Sequence, residues 1–383
     1  MKSITSFAPV ALGLVLAACG SGAAAPAAST PAGSPAPASV AASKPAASAA
    51  GSAAASARPA GSPAASAGGS GAAIPSIPAG QKVKMATATG VPSVVFAPIW
   101  IAVDQGVFAK YGLDVSFTEN LEGVKQATAI VAGDIQIGNV GGTEVLNSDV
   151  GGANMLAILQ STSSPVFEIH ASPEYKKVED LKGKVIAITQ NGSSTDMAGR
   201  VLLKNHGLDP DKDVKLLNAS NMPGIVAAMV SKQVQAGVVS PPTTLKATAA
   251  GFPKVASAVD EHVPLQNNLT ATTKSFAGQH PEVVYAYLKA ELESTKVLMT
   301  QPDIAVQEVA KHTDSDTQTA QAALDALKPA LDPVGLIQEA GLKTVQDYGP
   351  NAQIKTMNLA GTYDNSFLQN LRASGFYDQI GLK

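Results

Sequence analysis

The groups in this chain that could hold a small molecule are hydroxyls and backbone amides gathered at four short turns. These are Thr89-Gly90-Val91-Pro92-Ser93, Gly141-Gly142-Thr143, Asn191-Gly192-Ser193-Ser194-Thr195 and Ser240-Pro241-Pro242. Glycine lets a backbone approach a ligand closely, and small hydroxyls donate and accept without filling a cleft. Such a set is suited to holding a ligand by hydrogen bonds. The same residue types also cap helices and close turns, which is the bland use of any one of them. None of the four turns carries Arg or Lys. Helix N-termini can still hold an anion, so a sulfonate, a carboxylate and a neutral polar or heteroaromatic ligand all stay open. Trp100, the only tryptophan, is either a stacking wall for a ligand ring or a core residue of its helix.

Groups for harder chemistry are missing. His170, His206, His262, His280 and His312 show no metal-ligand spacing with one another. There is no G-x-x-x-x-G-K-[ST] loop, and Gly138-Asn139-Val140-Gly141-Gly142 is not a dinucleotide fingerprint. The globular part has no G-x-S-x-G elbow. Cys19 is the single cysteine, which excludes a disulfide-stapled fold. No metal, cofactor or catalytic group is expected.

The elements that must position the turns alternate. Strands are expected at Lys82–Ala88, Leu113–Glu119, Ile135–Val140, Met155–Gln160, Lys184–Thr189, Asp213–Ala219 and Ala236–Ser240. All but one are followed by a helical pattern, at Ala97–Gln105, Glu122–Ala132, Thr143–Asp149, Thr195–His206, Met222–Gln233 and Thr243–Ala250. This alternation argues for an α/β fold with mainly parallel sheets. A ligand should then sit beyond the carboxyl ends of the strands, where the turns lie. After Thr273 the pattern becomes helix upon helix. His280-Pro281-Glu282 opens one, with proline at the first helical position and an acid at the positive end. Others are expected at Asp303–His312, Thr317–Ala330, Val334–Asp347 and Tyr363–Ala373.

The chain has 383 residues and a formal charge of −3. Between Gly20 and Gly80, 55 of 61 residues are Ala, Gly, Ser or Pro, the exceptions being Thr30, Val40, Lys44, Arg58, Ile74 and Ile77. A segment with so little to bury cannot offset the entropy of ordering its backbone, so 20–80 reads as a disordered tether. Residues 81–383 hold 24 basic against 30 acidic side chains, which argues against a nucleic-acid partner. Upstream, Lys2 precedes an apolar stretch from Phe7 to Ala18, too short for a permanent bilayer crossing. It ends in Leu16-Ala17-Ala18-Cys19-Gly20, which resembles a bacterial lipobox. That resemblance implies cleavage before Cys19 and diacylation of its thiol, and two acyl chains anchor stably where one would be marginal. Residues 1–19 are read as signal peptide and lipobox cysteine.

Further segments resemble the nitrate/sulfonate/taurine-type solute-binding proteins of ABC importers, a family that includes binding proteins for the thiamine pyrimidine precursor. Phe96-Ala97-Pro98-Ile99-Trp100-Ile101-Ala102-Val103-Asp104-Gln105-Gly106-Val107-Phe108, running into Tyr111-Gly112-Leu113-Asp114-Val115, is similar to that family's opening helix and following strand. Ala132-Gly133-Asp134-Ile135-Gln136-Ile137-Gly138 is similar to its G-x-x-D-I-G strand start. Val178-Glu179-Asp180-Leu181-Lys182-Gly183-Lys184-Val185-Ile186-Ala187 resembles its D-L-K-G-K-K-V-A-V stretch, and His280-Pro281-Glu282 its late helix start. The matches run in the family's order over most of residues 82–300.

The resemblance implies a two-lobe type II periplasmic-binding-protein fold with a ligand cleft between lobes. The first lobe would be 81–168 with 272–383, and the second 169–271. The crossovers would be Val166–Ser172 and Asn267–Thr273, with Glu168 and Asn267 as hinge residues. Ser93, Trp100, Gly142, Thr143, Ser193, Ser194, Thr195 and Ser240 are the implied ligand contacts. The implied protein is an extracytoplasmic, lipid-anchored monomer that passes a small solute to an ABC permease and its ATPase. Two alternatives stand beside it: a surface lipoprotein feeding a sensor, and an enzyme like the pyrimidine synthase that shares the fold. The synthase's cysteine-rich motif has no counterpart here, because Cys19 is the only cysteine.

Overall fold

The computed structural model describes residues 74–349 and 351–382, which belong to one compact unit. The apolar leader, Cys19 and the tether up to residue 73 lie outside the described residues. No helix among the described residues is long and apolar enough to cross a membrane.

In chain order the first elements are β1 (Val83–Ala88), α1 (Ala97–Asp104), α2 (Val107–Lys110), β2 (Leu113–Thr118), α3 (Gly123–Ala132), β3 (Gly138–Val140), α4 (Gly142–Val150) and β4 (Met155–Gln160). A second run follows: β5 (Glu168–Ala171), β6 (Val185–Ile188), α5 (Ser194–Asn205), β7 (Lys215–Asn218), α6 (Met222–Val230), β8 (Ala236–Val239), α7 (Thr243–Ala249) and β9 (Lys254–Ser257). The chain then forms β10 (Leu269–Thr273), α8 (Lys274–Gln279), α9 (Pro281–Thr300), α10 (Pro302–Thr313), α11 (Thr317–Leu327), α12 (Glu339–Tyr348), α13 (Ser366–Ala373) and α14 (Phe376–Ile380).

The strands form three sheets, ordered β1-β2, β3-β10-β4 and β7-β6-β8-β5-β9. The five-stranded sheet is built wholly from residues 168–257, and the other two from segments on either side of it in sequence. The expectation of mainly parallel sheets needs correction. β1 with β2 and β6 with β7 and β8 are parallel, but β10 runs antiparallel to β3 and β4, and β5 antiparallel to β8 and β9. The strands that run against their sheets are β5 and β10, the two segments in which the chain passes from one body of sheet to the other. β10 already belongs to the β3–β4 sheet from Leu269 onward.

Local chemistry explains where elements stop. The strand expected at Ile135–Val140 is regular only from Gly138, because Gln136 is used to tie β1. Its N–H donates to Ala86 O, and its Oε1 accepts from Ala86 N–H at 2.6 Å. The helix expected from Val334 begins only at Glu339. Val334 and Gly335 N–H both donate to Asp332 Oδ1, Gly335 has φ +76°, and Ile337 N–H donates to Asn365 Oδ1. These side-chain acceptors compete with a helical turn.

The cores follow the sheets. β4 is buried at all six positions, beside β10 in its sheet. α9 is the longest helix, opened by Pro281 with Glu282 in the first turn, and it buries Val283, Val284, Tyr287 and Leu288 against α1 and α2 residues such as Ile99 and Phe108. A separate cluster behind the five-stranded sheet joins Ala187, Val239, Ile225, Met229 and Phe252. The packed body starts earlier than Gln81. Ile74 and Ile77, from the segment read as tether, pack on the α9 core, and Pro78 O accepts from Gln81 N–H. They are the two isoleucines of that low-complexity tract, and the body uses both.

Candidate functional site

A cavity of about 200 Å³ opens where the carboxyl ends of β1, β3, β6, β7 and β8 converge. Both chain crossings border it, through Phe167 before β5 and through Asn267 and Asn268 before β10. A hollow of about 310 Å³ lies elsewhere, under residues 75–82, and shares no lining residue with the first.

On the side of the five-stranded sheet, the cavity meets the start of α5. Ser193 is its N-cap and its Oγ accepts from Asp196 N–H at 3.4 Å. Thr189 Oγ1 donates to Ser193 Oγ at 2.9 Å, and Thr195 Oγ1 accepts from Thr189 N–H at 2.9 Å. Asp196, fully buried in the first turn, accepts from Gly192 N–H at 2.8 Å and from Arg200 Nε at 2.7 Å. The positive end of α5 is therefore already faced by a carboxylate. The Ser194 hydroxyl reaches across the cleft, with Oγ 3.5 Å from where a Cβ on Gly141 would stand. Asn221 caps α6 through Gly224 N–H at 2.8 Å.

On the opposite side stand Asn139, Gly141 and Glu144. Asn139 Nδ2 donates to Thr270 Oγ1 at 3.1 Å, and Thr270 donates to Glu291 at 2.8 Å. Burial raises the Glu291 carboxyl to about 7, against hydrogen bonds from Thr270 and Ser161 that lower it. Glu144 occupies the first turn of α4. Burial pushes its carboxyl up, opposed by its own N–H and that of Gly141. Glu144 fits there because its neighbours lack side chains: a Cβ on Gly123 or on Gly141 would come within 2.7 Å of its carboxylate oxygens. Three residues of the cavity wall carry an oxygen shut off from solvent without a hydrogen-bond partner: Asn139 Oδ1, Glu144 Oε2 and Asn267 Oδ1.

Of the residues singled out from sequence, the fold brings Ser93, Ser193, Ser194, Thr195 and Ser240 to this cavity. Gly142, Thr143 and Trp100 are not in its wall. Gly142 is packed under the second crossing: its N–H donates to Gln266 O at 2.9 Å, and a Cβ would meet Gln266 and Val345 at 3.1 Å. Thr143 is buried beside it. Trp100 is fully buried and stacks on His312, with centroids 4.8 Å apart and rings 5° from parallel. Wall residues that sequence reasoning missed include Phe96, Asn139, Glu144, Phe167, Gln190 and Asn268. Asn267, read as a hinge residue, lies in the wall itself. Glu144 had a signal one residue from a chosen position, but an acid in a first helical turn reads as dipole compensation.

One further cluster has the look of a metal site. Asp104, Glu308 and His312 bring one ligand atom each within 4.8 Å of the others. Both ring nitrogens of His312 are already engaged by carboxylates, Nδ1 with Glu119 at 2.7 Å and Nε2 with Asp104 at 2.8 Å. Burial alone would raise the Asp104 carboxyl, yet Lys311 and His312 hold it at about 2. The cluster is an ion-pair network pinning α10 to α1 and β2.

Comparison with known proteins agrees with this geometry. The family model described as NMT1/THI5 like matches residues 93–305. The candidate binding protein YtlA of Bacillus subtilis is 29% identical over 154 residues, 39% of this chain and 46% of that protein. The taurine-binding periplasmic protein of Escherichia coli is 26% identical over 223 residues, 54% of this chain and 65% of that protein. The chain thus spans about half the length of the first curated relatives it matches. Among solved structures, the alkanesulfonate-binding protein SsuA from Xanthomonas axonopodis pv. citri superposes with a TM-score of 0.62 at 18% identity, covering 75% of this chain and all of that one. Since the family match takes in more than half of the sequence, and the sheets and crossings build the fold of those binding proteins, the chain belongs to the NMT1/THI5-like family, with its two-lobe periplasmic-binding-protein fold.

Proposed function

We propose that this chain is an extracytoplasmic, lipid-anchored solute-binding protein that captures a small organic molecule by lobe closure and hands it to the permease and ATPase of an ABC importer. The observation that carries this is the cavity at the strand ends, bounded by both crossings and lined by hydroxyls and amides that can bind but offer no thiol. The names of the relatives, one for taurine and one for alkanesulfonates, support a small organic solute. The lobes we assign are 81–168 with 272–383, and 169–271, with the return crossing falling within β10. Ser93, Ser193, Ser194, Thr195 and Ser240 are the assigned contacts. Closure would be driven by the ligand's higher affinity for the closed state. Diacylated Cys19 would hold the body near a membrane on its low-complexity tether, as a monomer.

A thermal-shift screen of the purified protein against sulfonates, carboxylates, pyrimidines and amino acids tests the reading. A ligand at 100 times its Kd should stabilise the fold by about 2.7 kcal/mol. A saturable shift upholds solute binding, and a folded, ligand-free protein that answers to none of the panel counts against it. Membrane retention tests the anchor separately: Cys19→Ser should release the protein into the soluble fraction, and unchanged retention removes the lipid from the proposal.

A further inference from the structure

The charges around the cleft are one-sided. Its wall contains Glu122 and Glu144 and, among the described residues, no Lys, Arg or His. The N-termini that face it do not supply the missing positive charge. α4 carries Glu144 in its first turn and α5 carries Asp196, while Asn221 takes up an N–H at the start of α6. An oxyanion entering here would meet the carboxyl groups of Glu122 and Glu144 in the wall, while the nearest cations are engaged by acids, Lys125 by Glu122 at 3.1 Å and Arg200 by Asp196 at 2.7 Å.

The unused hydrogen-bonding capacity is one-sided as well. Asn139 Oδ1, Glu144 Oε2 and Asn267 Oδ1 are all acceptors, all buried and all without partners. A buried polar group without a partner loses its hydration for nothing, so three in one wall require an explanation. The orientation of Asn139 is fixed by its neighbours. With Glu291 ionised, Thr270 gives its hydroxyl proton to that carboxylate and must accept from the Asn139 amide nitrogen, which leaves Oδ1 as the atom of that amide without a partner. Glu144 is held in place by Gly123 and Gly141, whose missing side chains make the room. The hydroxyls of Ser193, Ser194 and Thr195 across the cavity can serve a donor or an acceptor on the ligand.

We infer that the cleft selects a ligand presenting a nitrogen-borne donor, an amino or amidino group, to Glu144 and Asn139, and that it rejects oxyanions lacking such a group. This rests on the solute-binding reading and narrows it. Glu144 is the residue that sets the preference, because it is the acceptor that gains most from an N–H or a positive charge. Asn139 and Asn267 complete the donor's shell.

Matched probe pairs test this on the full-length protein by thermal shift and calorimetry: 4-aminobutyrate against butyrate, taurine against ethanesulfonate, and benzamidine against benzoate, with nitrate alone. At least one nitrogen-bearing probe should bind ten-fold or more tighter than its partner, and Glu144→Gln should weaken that probe at least ten-fold while butyrate and ethanesulfonate stay unbound. Glu144→Gln keeps the shape of a side chain whose burial already disfavours its charged form, so its melting temperature should hold or rise. Should that variant fail to fold, the pairwise preference of the unsubstituted protein decides. Binding of ethanesulfonate, benzoate or nitrate as tightly as any nitrogen-bearing probe overturns the inference and leaves solute binding standing. Unchanged affinity in Glu144→Gln also overturns it. If no probe of either kind binds, both the inference and the solute-binding reading fall.

Discussion

Ser194 and Thr143 have similar chemistry and similar places at helix starts, yet the fold gives them opposite surroundings. Ser194 faces the cavity, while Thr143 is packed inside with Gly142 against the second crossing. The same bulky change should therefore do different things. Ser194→Phe fills open space, so affinity for any bound solute should drop at least ten-fold with little change in melting temperature. Thr143→Phe forces a larger side chain into a packed site and should cost about 1–3 kcal/mol of stability. Calorimetry and thermal denaturation on both variants check the pair, and a reversal of the two effects would move the cleft. The difference was not legible in the sequence. Both residues belong to a Gly/hydroxyl turn, and only the direction in which each side chain leaves its helix separates them. Glu144 shows the same limit, since a first-turn acid is stabilising whether or not it lines a cavity.

At the scale of elements, β10 is the part whose role pattern alone undervalues. It lies between β3 and β4 and carries Thr270, which joins Asn139 in the cleft wall to Glu291 on α9. Burial holds the Glu291 carboxyl at about 7, above its ordinary 4.5. With the folded-state value raised, the native protein binds the proton more tightly than the unfolded chain does between those two values. Stability contributed by this group is therefore fullest below about 4.5 and declines as pH rises towards 7, by an amount on the order of 3 kcal/mol. Glu291→Gln should remove that slope. Denaturant melts of the two proteins at pH 5 and pH 7.5 measure it, and parallel pH profiles would mean that Glu291 titrates normally. Because Thr270 sits beside the crossing, the same variant also tests whether the Asn139 orientation depends on the ion.

For the whole molecule, the place where the packed body begins within the low-complexity tract decides what can be removed without harm. Ile74 and Ile77 are half-buried against the α9 core, and Ile77 Cγ2 lies 3.0 Å from where a Cβ on Gly112 would be. Gly112, at φ +82°, leaves that space open. Two half-buried isoleucines are worth about 2 kcal/mol. A truncation that starts at residue 74 should melt like the full chain, whereas one that starts at residue 81 should lose about that much stability. Equal melting temperatures for the two truncations would show that the segment packs without contributing. The composition of the tract did carry a hint, because these are the only two large apolar residues near its end.

The sequence by itself determined the class of the fold, since alternating short apolar strands and amphipathic helices bury themselves as layered α/β units, and that patterning is local. It also determined most of the turns that reach the cavity, because strand ends and helix starts are marked by Gly, Ser and Thr. It placed Lys82–Ala88, Met155–Gln160 and the Pro281 helix within a residue or two. Only the tertiary structure decided that β5 and β10 would enter their sheets antiparallel, because the two crossings are pairings between segments far apart in the chain. It alone also decided that Trp100 would stack on His312, that Gly142 and Thr143 would be packed inside, and that Glu144, Asn139 and Asn267, each with an unpartnered oxygen, would share one cavity wall. Those outcomes depend on which surfaces meet, and a one-dimensional pattern specifies what each surface is made of without specifying its partner.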